Sequence, residues 1–293
     1  MKRPVGFMPV KSFERALNQI PRSQRILRLH HFGESPLNPD FPVFIKMTRS
    51  AGMIPVVSLN PSSITEKLID SIIDSGVGIV CFSLDSLNSH RLNLIRGITK
   101  SAEYCLEMIR SFIDKSRGSS EPVLKIIQMV SLTINIDERH SFLSLKEKYP
   151  EDDVYIYISN NYGFGNPDLI KETDEYAAVT AQPGSCCTAP FDDIVILWNG
   201  DVVLCCYDYN GFNIIGNINQ DSIENIWNSE KVMIIRNKFK NKETHDLPLC
   251  NKCYLAPHNF KDKKLKSAKR GYNEEKYILN LYPPFRELLH KQQ

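Results

Sequence analysis

The sequence predicts an α/β fold in which a parallel sheet is followed by a small cysteine-bearing module. Short apolar runs alternate with amphipathic segments up to about residue 160, and a hairpin pattern replaces them after Pro183. Six of the eight cysteines lie between positions 186 and 253. We therefore expect a parallel-sheet domain at 1–180, a cysteine module at 181–260 and a basic C-terminal segment at 261–293.

The first half of the chain has the pattern of repeated strand and helix units. Short runs of apolar residues predict strands at 26–31, 54–59, 78–84, 123–130 and 154–159. Apolar residues three and four positions apart predict helices at 11–20, 41–51, 65–74, 101–115 and 138–148. Right-handed crossovers curve or close such a sheet, and ligands bind at the carboxyl ends of its strands.

The carboxyl ends of several predicted strands carry polar residues. They are Gly33, Glu34, Ser58, Asn60, Ser83, Asp85 and Gln128. Strand-to-helix turns need such residues as caps, so each one taken alone is more often a cap than a ligand. Gln128, Asn161 and Tyr162 are candidates for contact with a substrate, and a structural role explains them equally well.

Composition excludes several classes of function. The 293 residues are 42% hydrophobic and carry a formal net charge of +2, which gives no electrostatic basis for binding nucleic acid. No stretch is long and apolar enough for a membrane span, and Pro4, Pro9 and Lys11 interrupt any secretion signal. We expect a cytoplasmic protein, in which cysteines serve metal binding, catalysis or packing before disulfides.

The second half begins with a hairpin. Strands are predicted at 192–198 and 201–206, turning at Asn199 and Gly200, because an Asn-Gly pair between apolar residues favours a tight turn. A helix is predicted at 222–240 with Asp221 or Ser222 as its N-cap. The basic run at 261–270 is interpreted as a solvated surface segment.

Four cysteines have the spacing of a metal site. Twelve residues separate Cys187 from Gly200 and four separate Gly200 from Cys205, while Cys250 and Cys253 form a C-x2-C knuckle. Four such thiolates suit a tetrahedral zinc ion or an iron-sulfur cubane equally well, and spacing alone does not choose.

The other four cysteines are predicted not to be ligands. Cys186 and Cys206 are expected to point away, since adjacent side chains of an extended segment lie on opposite faces. Cys81 and Cys105 are interpreted as small core residues.

These segments resemble the radical S-adenosylmethionine (SAM) enzymes with a C-terminal SPASM or twitch extension. CTAPFDDIVILWNGDVVLCCYD, IIGNINQDSIENIWNSEKVMIIRNKF and LPLCNKC resemble the family's C-x(9–15)-G-x4-C hairpin, helix and terminal knuckle. LHHFGESPLNPDF, VVSLN and CFSLDSLNSHRLNLIRG resemble its glycine-glutamate loop, its third strand, and its fourth strand with the following turn. The resemblance covers most of residues 7–255.

The resemblance implies a fold and two cofactors. The fold is a partial (β/α)6-type radical SAM barrel missing its first strand, followed by a small α+β SPASM/twitch domain. One auxiliary [4Fe-4S] cluster would be held by Cys187, Cys205, Cys250 and Cys253. Residues implied to contact SAM are Gly33 and Glu34 at its amino group, and Ser58, Asn60, Ser83, Asp85 and Arg96 near its ribose and carboxylate. Phe32 and Ser35 depart from the family's glycine and proline.

The resemblance also implies a reaction class. A complete family member cleaves SAM to a 5′-deoxyadenosyl radical, which takes a hydrogen atom from the substrate, and an auxiliary cluster can accept the electron left behind. A dehydrogenase or other oxidoreductase is therefore expected. Its substrate would be a small molecule or a peptide, and a reductase or ferredoxin-type protein would supply electrons.

One family motif is missing. The C-x3-C-x2-C that holds the catalytic cluster occurs nowhere in the chain, and MKRPVGFMPVKSFERAL resembles the segment that follows it in relatives. We expect the printed start to be an internal methionine of a longer enzyme, because the SAM-contact residues are intact. The alternatives are a truncated, non-catalytic cluster-binding protein and a zinc-ribbon interaction protein.

Overall fold

The computed structural model describes residues 3–21, 23–161, 187–253 and 255–260. The predictions for Tyr162, Cys186 and 261–293, and the boundary predicted at 180, fall outside these residues. The described residues form two compact units. The sheet unit holds those between 21 and 160, and the cysteine unit holds those up to 20 and from 161 onward.

Parallel strands build the sheet unit. They are β1 Ile26–Arg28, β2 Ile54–Leu59, β3 Ile79–Ser83, β4 Leu124–Ser131 and β5 Val154–Asn160. The strands lie side by side in chain order, and every neighbouring pair is parallel. All five predicted strands are confirmed. β1 ends three residues early, since the chain leaves the ladder before the loop that carries Gly33.

Helices precede and connect these strands, as the sequence pattern predicts. From the N-terminus they are α1 Val10–Leu17, α2 Phe41–Ser50, α3 Glu66–Asp74, α4 Ser89–Arg96, α5 Ala102–Ser116, α6 Arg139–Leu143 and α7 Leu145–Lys148. The prediction of one helix at 138–148 is wrong in detail, because the segment breaks at Ser144 into α6 and α7. Sequence analysis missed α4, whose only buried residue is Leu92.

The two faces of the sheet differ in chemistry. One face is fully buried beneath the helices, with Val57, Phe82 and Ile127 at 0% exposure. The opposite face carries a second apolar cluster toward the amino ends of the strands, formed by Ile26, Ile54, Val56, Ile79 and Leu124. Toward the carboxyl ends this face becomes polar and half-buried, with Ser58, Cys81, Ser83 and Gln128. Parallel α/β sheets hold their ligands at that end.

The cysteine unit is built on an antiparallel sheet. Its elements are α8 Ala189–Asp192, β6 Val195–Ile196, β7 Asp201–Val203, β8 Ile214–Asn217, α9 Ile223–Trp227 and α10 Glu230–Asn241. β6 and β7 are the predicted hairpin, and β8 adds a third strand that the sequence analysis missed. Helix α1 belongs here, since Ala16 packs in the same core as Val202 and Ile226.

One predicted helix is two helices in the cysteine unit. The sequence predicts a single helix at 222–240, but Ser229 accepts a hydrogen bond from the N–H of Val232 and starts α10 anew. Ser222 caps α9 as expected, accepting from the N–H of Asn225 at 3.1 Å. No helix among the described residues has the length and apolar character to cross a membrane.

Gly200 sets the hairpin turn. Its φ is +88°, and a β-carbon there would collide with the side chain of Asn219 and lie 2.8 Å from Oδ1 of Asn217. Gly211 in the same unit also has a positive φ, +70°, but the nearest atom to a β-carbon is 3.5 Å away, on Ile214. The two positions therefore share backbone strain and differ in crowding.

We predict that Gly200→Ala destabilises the cysteine unit more than Gly211→Ala does. The left-handed backbone costs alanine about 1–2 kcal/mol at either position, and the collision at 200 adds roughly 1–3 kcal/mol. Both tryptophans, Trp198 and Trp227, lie in this unit, so denaturation followed by tryptophan fluorescence reports on it alone. Equal losses in the two variants would contradict the packing argument.

Candidate functional site

The glycine-glutamate loop follows β1 at the carboxyl edge of the sheet. Gly33 has φ +121°, a conformation that side chains oppose, and nothing lies within 4 Å of a β-carbon there. Glu34 Oε1 accepts a hydrogen bond from the N–H of Asn60 at 3.2 Å, which joins this loop to the end of β2. Burial raises the pKa of Glu34, while the Asn60 N–H and the charge of Arg96 oppose that rise.

Hydroxyl groups continue along the same edge. Ser58 Oγ and Ser83 Oγ lie 3.4 Å apart on neighbouring strands. Asn60 Oδ1 is engaged locally, because it accepts hydrogen bonds from Ser62 N–H at 3.1 Å and Ser62 Oγ at 2.9 Å. The structure therefore brings Ser58 and Ser83 together and gives the Asn60 side chain the capping role that the sequence left open.

Asp85 and Arg96 form an ion pair behind this edge. Asp85 is only 3% exposed, and its Oδ2 lies 2.6 Å from Arg96 Nε, although Nε is not aligned as a hydrogen-bond donor. Asp85 Oδ1 accepts from the N–H of Val130 at 2.7 Å. Both carboxylate oxygens are thus engaged within the protein, so Asp85 positions Arg96 while Arg96 remains 28% exposed.

Two residues that sequence analysis missed hold this region. The fully buried Asn135 donates from Nδ2 to the carbonyls of Asp85 and Val130, at 2.6 and 2.9 Å. Glu138 accepts from Ser86 Oγ at 2.7 Å and from the N–H of Leu87 at 2.6 Å, fixing the loop after Asp85. Both lie in the 3₁₀ turn Thr133–Glu138, and no sequence pattern predicts that this turn packs beside the end of β3.

Cys81 lies on the polar, half-buried face of β3, and His30 follows the end of β1. Cys81 Sγ donates to Gln128 Oε1 at 3.0 Å, and burial raises the pKa of Cys81 to about 12. Cys81 is only half-buried, so it lies at the edge of the packed core, whereas Cys105 is buried as predicted. Burial, together with the charge of Arg28, lowers the pKa of His30 to about 4. His30, at the start of the glycine-glutamate loop, is therefore neutral at pH 7.

Five cysteines come together in the cysteine unit. Cys205 interacts with Cys206 and Cys187, and Cys250 interacts with Cys187 and Cys253. Cys253 in turn interacts with Cys206, so pairwise electrostatic interactions link these five thiols in a closed circuit, here called the thiol ring. All four predicted ligands are members of this thiol ring. The prediction that Cys206 points away assumed an extended strand, but β7 ends at Val203 and the chain turns at 205–208.

Three backbone features place the thiols of the ring. The N–H of Cys187 donates to the carbonyl of Leu255 at 2.8 Å, which ties the start of the module to the C-x2-C knuckle. Leu249 has φ +65° and ψ −50°, and the N–H of Cys250 donates back to Pro248 at 2.7 Å, which makes a γ-turn. A leucine with positive φ is strained, so the surrounding structure imposes this turn on Leu249, immediately before Cys250.

The surroundings of the thiols suit a thiolate-bound metal group. The N–H of Tyr207 donates to Cys205 Sγ at 3.3 Å, and the N–H groups of Leu255 and Ala256 donate to Cys253. Such donors stabilise the ionised form of a thiol. Burial, then Cys187, Cys253 and Asp208, raises the pKa of Cys250 to about 12, so ionisation there requires a cation in place of the proton.

Within the described ranges 3–21, 23–161, 187–253 and 255–260, no three His, Cys, Asp or Glu side chains are placed to hold one metal ion. A cubane cluster is a different case, since its four thiolates bind four separate irons. The donor set, four thiols with N–H groups directed at two of them, fits such a cluster.

Comparison with known proteins agrees with this donor set. Residues 186–254 match SPASM, an iron-sulfur cluster-binding domain. Three solved structures of radical SAM enzymes have the fold of this chain: BtrN in complex with AdoMet and 2-DOIA, anSMEcpe with bound AdoMet, and Streptococcus suis SuiB bound to S-adenosylmethionine. The chain joins a radical SAM fold to a SPASM domain.

The likeness to these structures is extensive and distant in sequence. BtrN matches with a TM-score of 0.50 and 18% identity, covering 84% of this chain and 81% of BtrN. For anSMEcpe the values are 0.56 and 13%, covering 98% and 87%. For SuiB they are 0.58 and 15%, covering 90% and 69%. No curated protein matches the chain.

We predict that His30 makes the radical SAM fold sensitive to acid. The folded pKa of about 4 lies below the ordinary histidine value of 6.5, so between these pH values the unfolded chain binds a proton that the folded chain does not. Stability contributed by the neutral imidazole is present above pH 6.5 and is lost as pH falls toward 4. The loss amounts to about 3 kcal/mol at most.

His30→Gln tests this prediction. The variant should lose less stability than the wild type between pH 6.5 and pH 4, as measured by urea denaturation followed by far-ultraviolet circular dichroism. His90→Gln, at an exposed position on α4, is the control and should keep the wild-type pH dependence. An unchanged pH dependence in His30→Gln would show that other groups cause the acid sensitivity.

Proposed function

We propose that this chain supplies the SAM-binding sheet and the auxiliary iron-sulfur domain of a radical-generating enzyme. The observation that carries the proposal is the gathering of Cys187, Cys205, Cys250 and Cys253 within the segment that matches a cluster-binding domain. The likeness of the whole chain to radical SAM enzymes supports the same reading.

The cysteine unit would hold one auxiliary [4Fe-4S] cluster on those four cysteines. A cluster of this kind supplies one-electron transfer at a potential set by its hydrogen bonds, net charge and exposure. The protein directs the Tyr207 N–H at Cys205 and the Leu255 and Ala256 N–H groups at Cys253. Cys187 and Cys250 pack against the apolar core, which shields their side of the site from water.

The sheet unit would bind SAM at its carboxyl edge. SAM carries an ammonium group, a carboxylate and two ribose hydroxyls, and the edge offers a complement to each. Glu34, whose pKa burial raises, would gain from an ammonium group beside it. Arg96, held by Asp85, would meet the carboxylate. Ser58 and Ser83 would serve the ribose, and Gly33 leaves room for close approach.

We further propose that the enzyme is an oxidoreductase, with a dehydrogenase as the leading candidate. BtrN is described in complex with 2-DOIA, and SuiB bound to the precursor peptide SuiA. Both substrate classes, a small molecule and a peptide, are therefore compatible with this fold. A reductase or ferredoxin-type protein in the cytoplasm would supply electrons.

A second candidate function rests on one sequence fact. The printed chain contains no C-x3-C-x2-C motif, the ligand set that SAM cleavage requires by family resemblance. A cluster-binding protein without SAM chemistry is therefore the alternative. The two candidates make the same prediction for iron and different predictions for SAM.

We predict that anaerobically reconstituted protein contains about four iron and four sulfide per chain. Cys250→Ala/Cys253→Ala should lose both, because a cluster left with two of its thiolate ligands is not retained. Cys81→Ser, in the sheet unit, is the control and should keep wild-type content. Stoichiometric zinc without sulfide, in protein purified anaerobically, would favour the zinc-ribbon alternative and remove the iron-sulfur assignment.

We predict that SAM binds to the chain through Glu34. Saturation-transfer NMR, which detects weak ligands, should show transfer to SAM with the wild type and roughly tenfold weaker binding with Glu34→Gln, since a charge-assisted hydrogen bond contributes about 1.5–3 kcal/mol. The amide oxygen of Gln still accepts from Asn60, so the loop is preserved. Glu147→Gln, exposed on α7, is the control. Iron without any SAM signal would favour the non-catalytic candidate.

A further inference from the structure

The thiol ring has one member more than a four-iron cluster binds. Four cysteines match the spacing of the cluster site, and Cys206 follows one of them directly. In a strand, adjacent side chains would point to opposite faces. Here the strand has already ended, and the N–H of Asp208 donates to the carbonyl of Cys205 at 3.0 Å, closing a turn. The first two residues of that turn carry the two thiols.

Contacts on both sides hold this turn in place. Asp208 is 1% exposed, and its carboxylate accepts from the N–H groups of Phe212 and Asn213, both at 2.8 Å. Asn213 donates from Nδ2 to the carbonyl of Pro248 at 2.7 Å, which ties the turn to the cysteine knuckle. Hydrogen bonds therefore hold the turn that carries Cys206.

Cys206 occupies a place in the ring between two of the spacing-matched ligands. Its thiol interacts electrostatically with Cys205 on one side and with Cys253 on the other. The Cys206 thiol is therefore placed among the same cysteines as a cluster ligand from the hairpin would be.

We propose that Cys206 is an alternative ligand to Cys205 at one corner of the auxiliary cluster. The inference rests on the proposed function, since it requires that the module hold a cluster. Exchange would break the iron–sulfur bond to Cys205 and form one to Cys206, while the proton of the Cys206 thiol passes to Cys205. No electron is gained or lost, and no further reactant is needed.

The test compares single and double alanine variants after anaerobic reconstitution. Cys205→Ala and Cys206→Ala should each keep about four iron and four sulfide per chain, because one thiol of the pair remains. Cys205→Ala/Cys206→Ala should lose the cluster to the same extent as Cys253→Ala. Electron paramagnetic resonance of the reduced Cys205→Ala protein should show a cluster signal shifted from that of the wild type.

A second measurement identifies the ligand directly. Alkylation of the loaded protein with iodoacetamide, followed by peptide mass spectrometry, should label Cys206 several-fold more slowly in Cys205→Ala than in the wild type. Circular dichroism of each variant before reconstitution checks folding.

Two outcomes would overturn the inference: iron loss in Cys205→Ala as severe as in Cys253→Ala, or a cluster retained in the double variant. Wild-type protein that takes up no iron and sulfide would overturn the proposed function as well.

Discussion

The buried carboxylate of Asp85 is the interaction on which the carboxyl edge of the sheet depends. A charge that is 3% exposed is tolerable only when it is paired and hydrogen-bonded, and Asp85 achieves this with Arg96 and the N–H of Val130. These contacts fasten the end of β3 to β4 and hold the Arg96 guanidinium in place. Asn135 then locks the same two strands through their carbonyls. The partly exposed Arg96 is thus positioned by the buried residues Asp85 and Asn135.

The thiols of the cysteine unit are also buried ionisable groups, and they too can carry charge only when a partner compensates it. Burial and mutual interaction raise the pKa of Cys205, Cys250 and Cys253, so without a cation these thiols keep their protons. Metal binding must displace those protons, and its free energy is then shared with the folding of the module. The backbone contributes before any metal arrives, since N–H groups already point at Cys205 and Cys253.

Periodicity predicted the sheet well because each strand is a compact apolar run with a buried face. It failed where burial is sparse. α4 buries only Leu92, and β8 is a four-residue strand interrupted by Gly216. The positions of the polar residues at the strand ends could be predicted from the sequence, but their roles could not. Spacing cannot reveal that one oxygen of Asp85 pairs with Arg96 and the other accepts from the N–H of Val130. The sequence did not predict the role of Asn135 for the same reason, because one of its partners is the carbonyl of Asp85, 50 residues away along the chain.

At Cys206, the spacing motif and the local backbone geometry lead to different predictions of which thiol is a ligand. A motif such as C-x12-G-x4-C records which positions along the chain suit the ligands, and it assumes that the hairpin strand continues through them. In this chain the strand stops at Val203, so the alternation of side chains that would exclude Cys206 no longer applies. A turn held by Asp208 presents two adjacent thiols to one site. Ligand identity at that corner therefore depends on where the strand ends, which the spacing of the cysteines does not record.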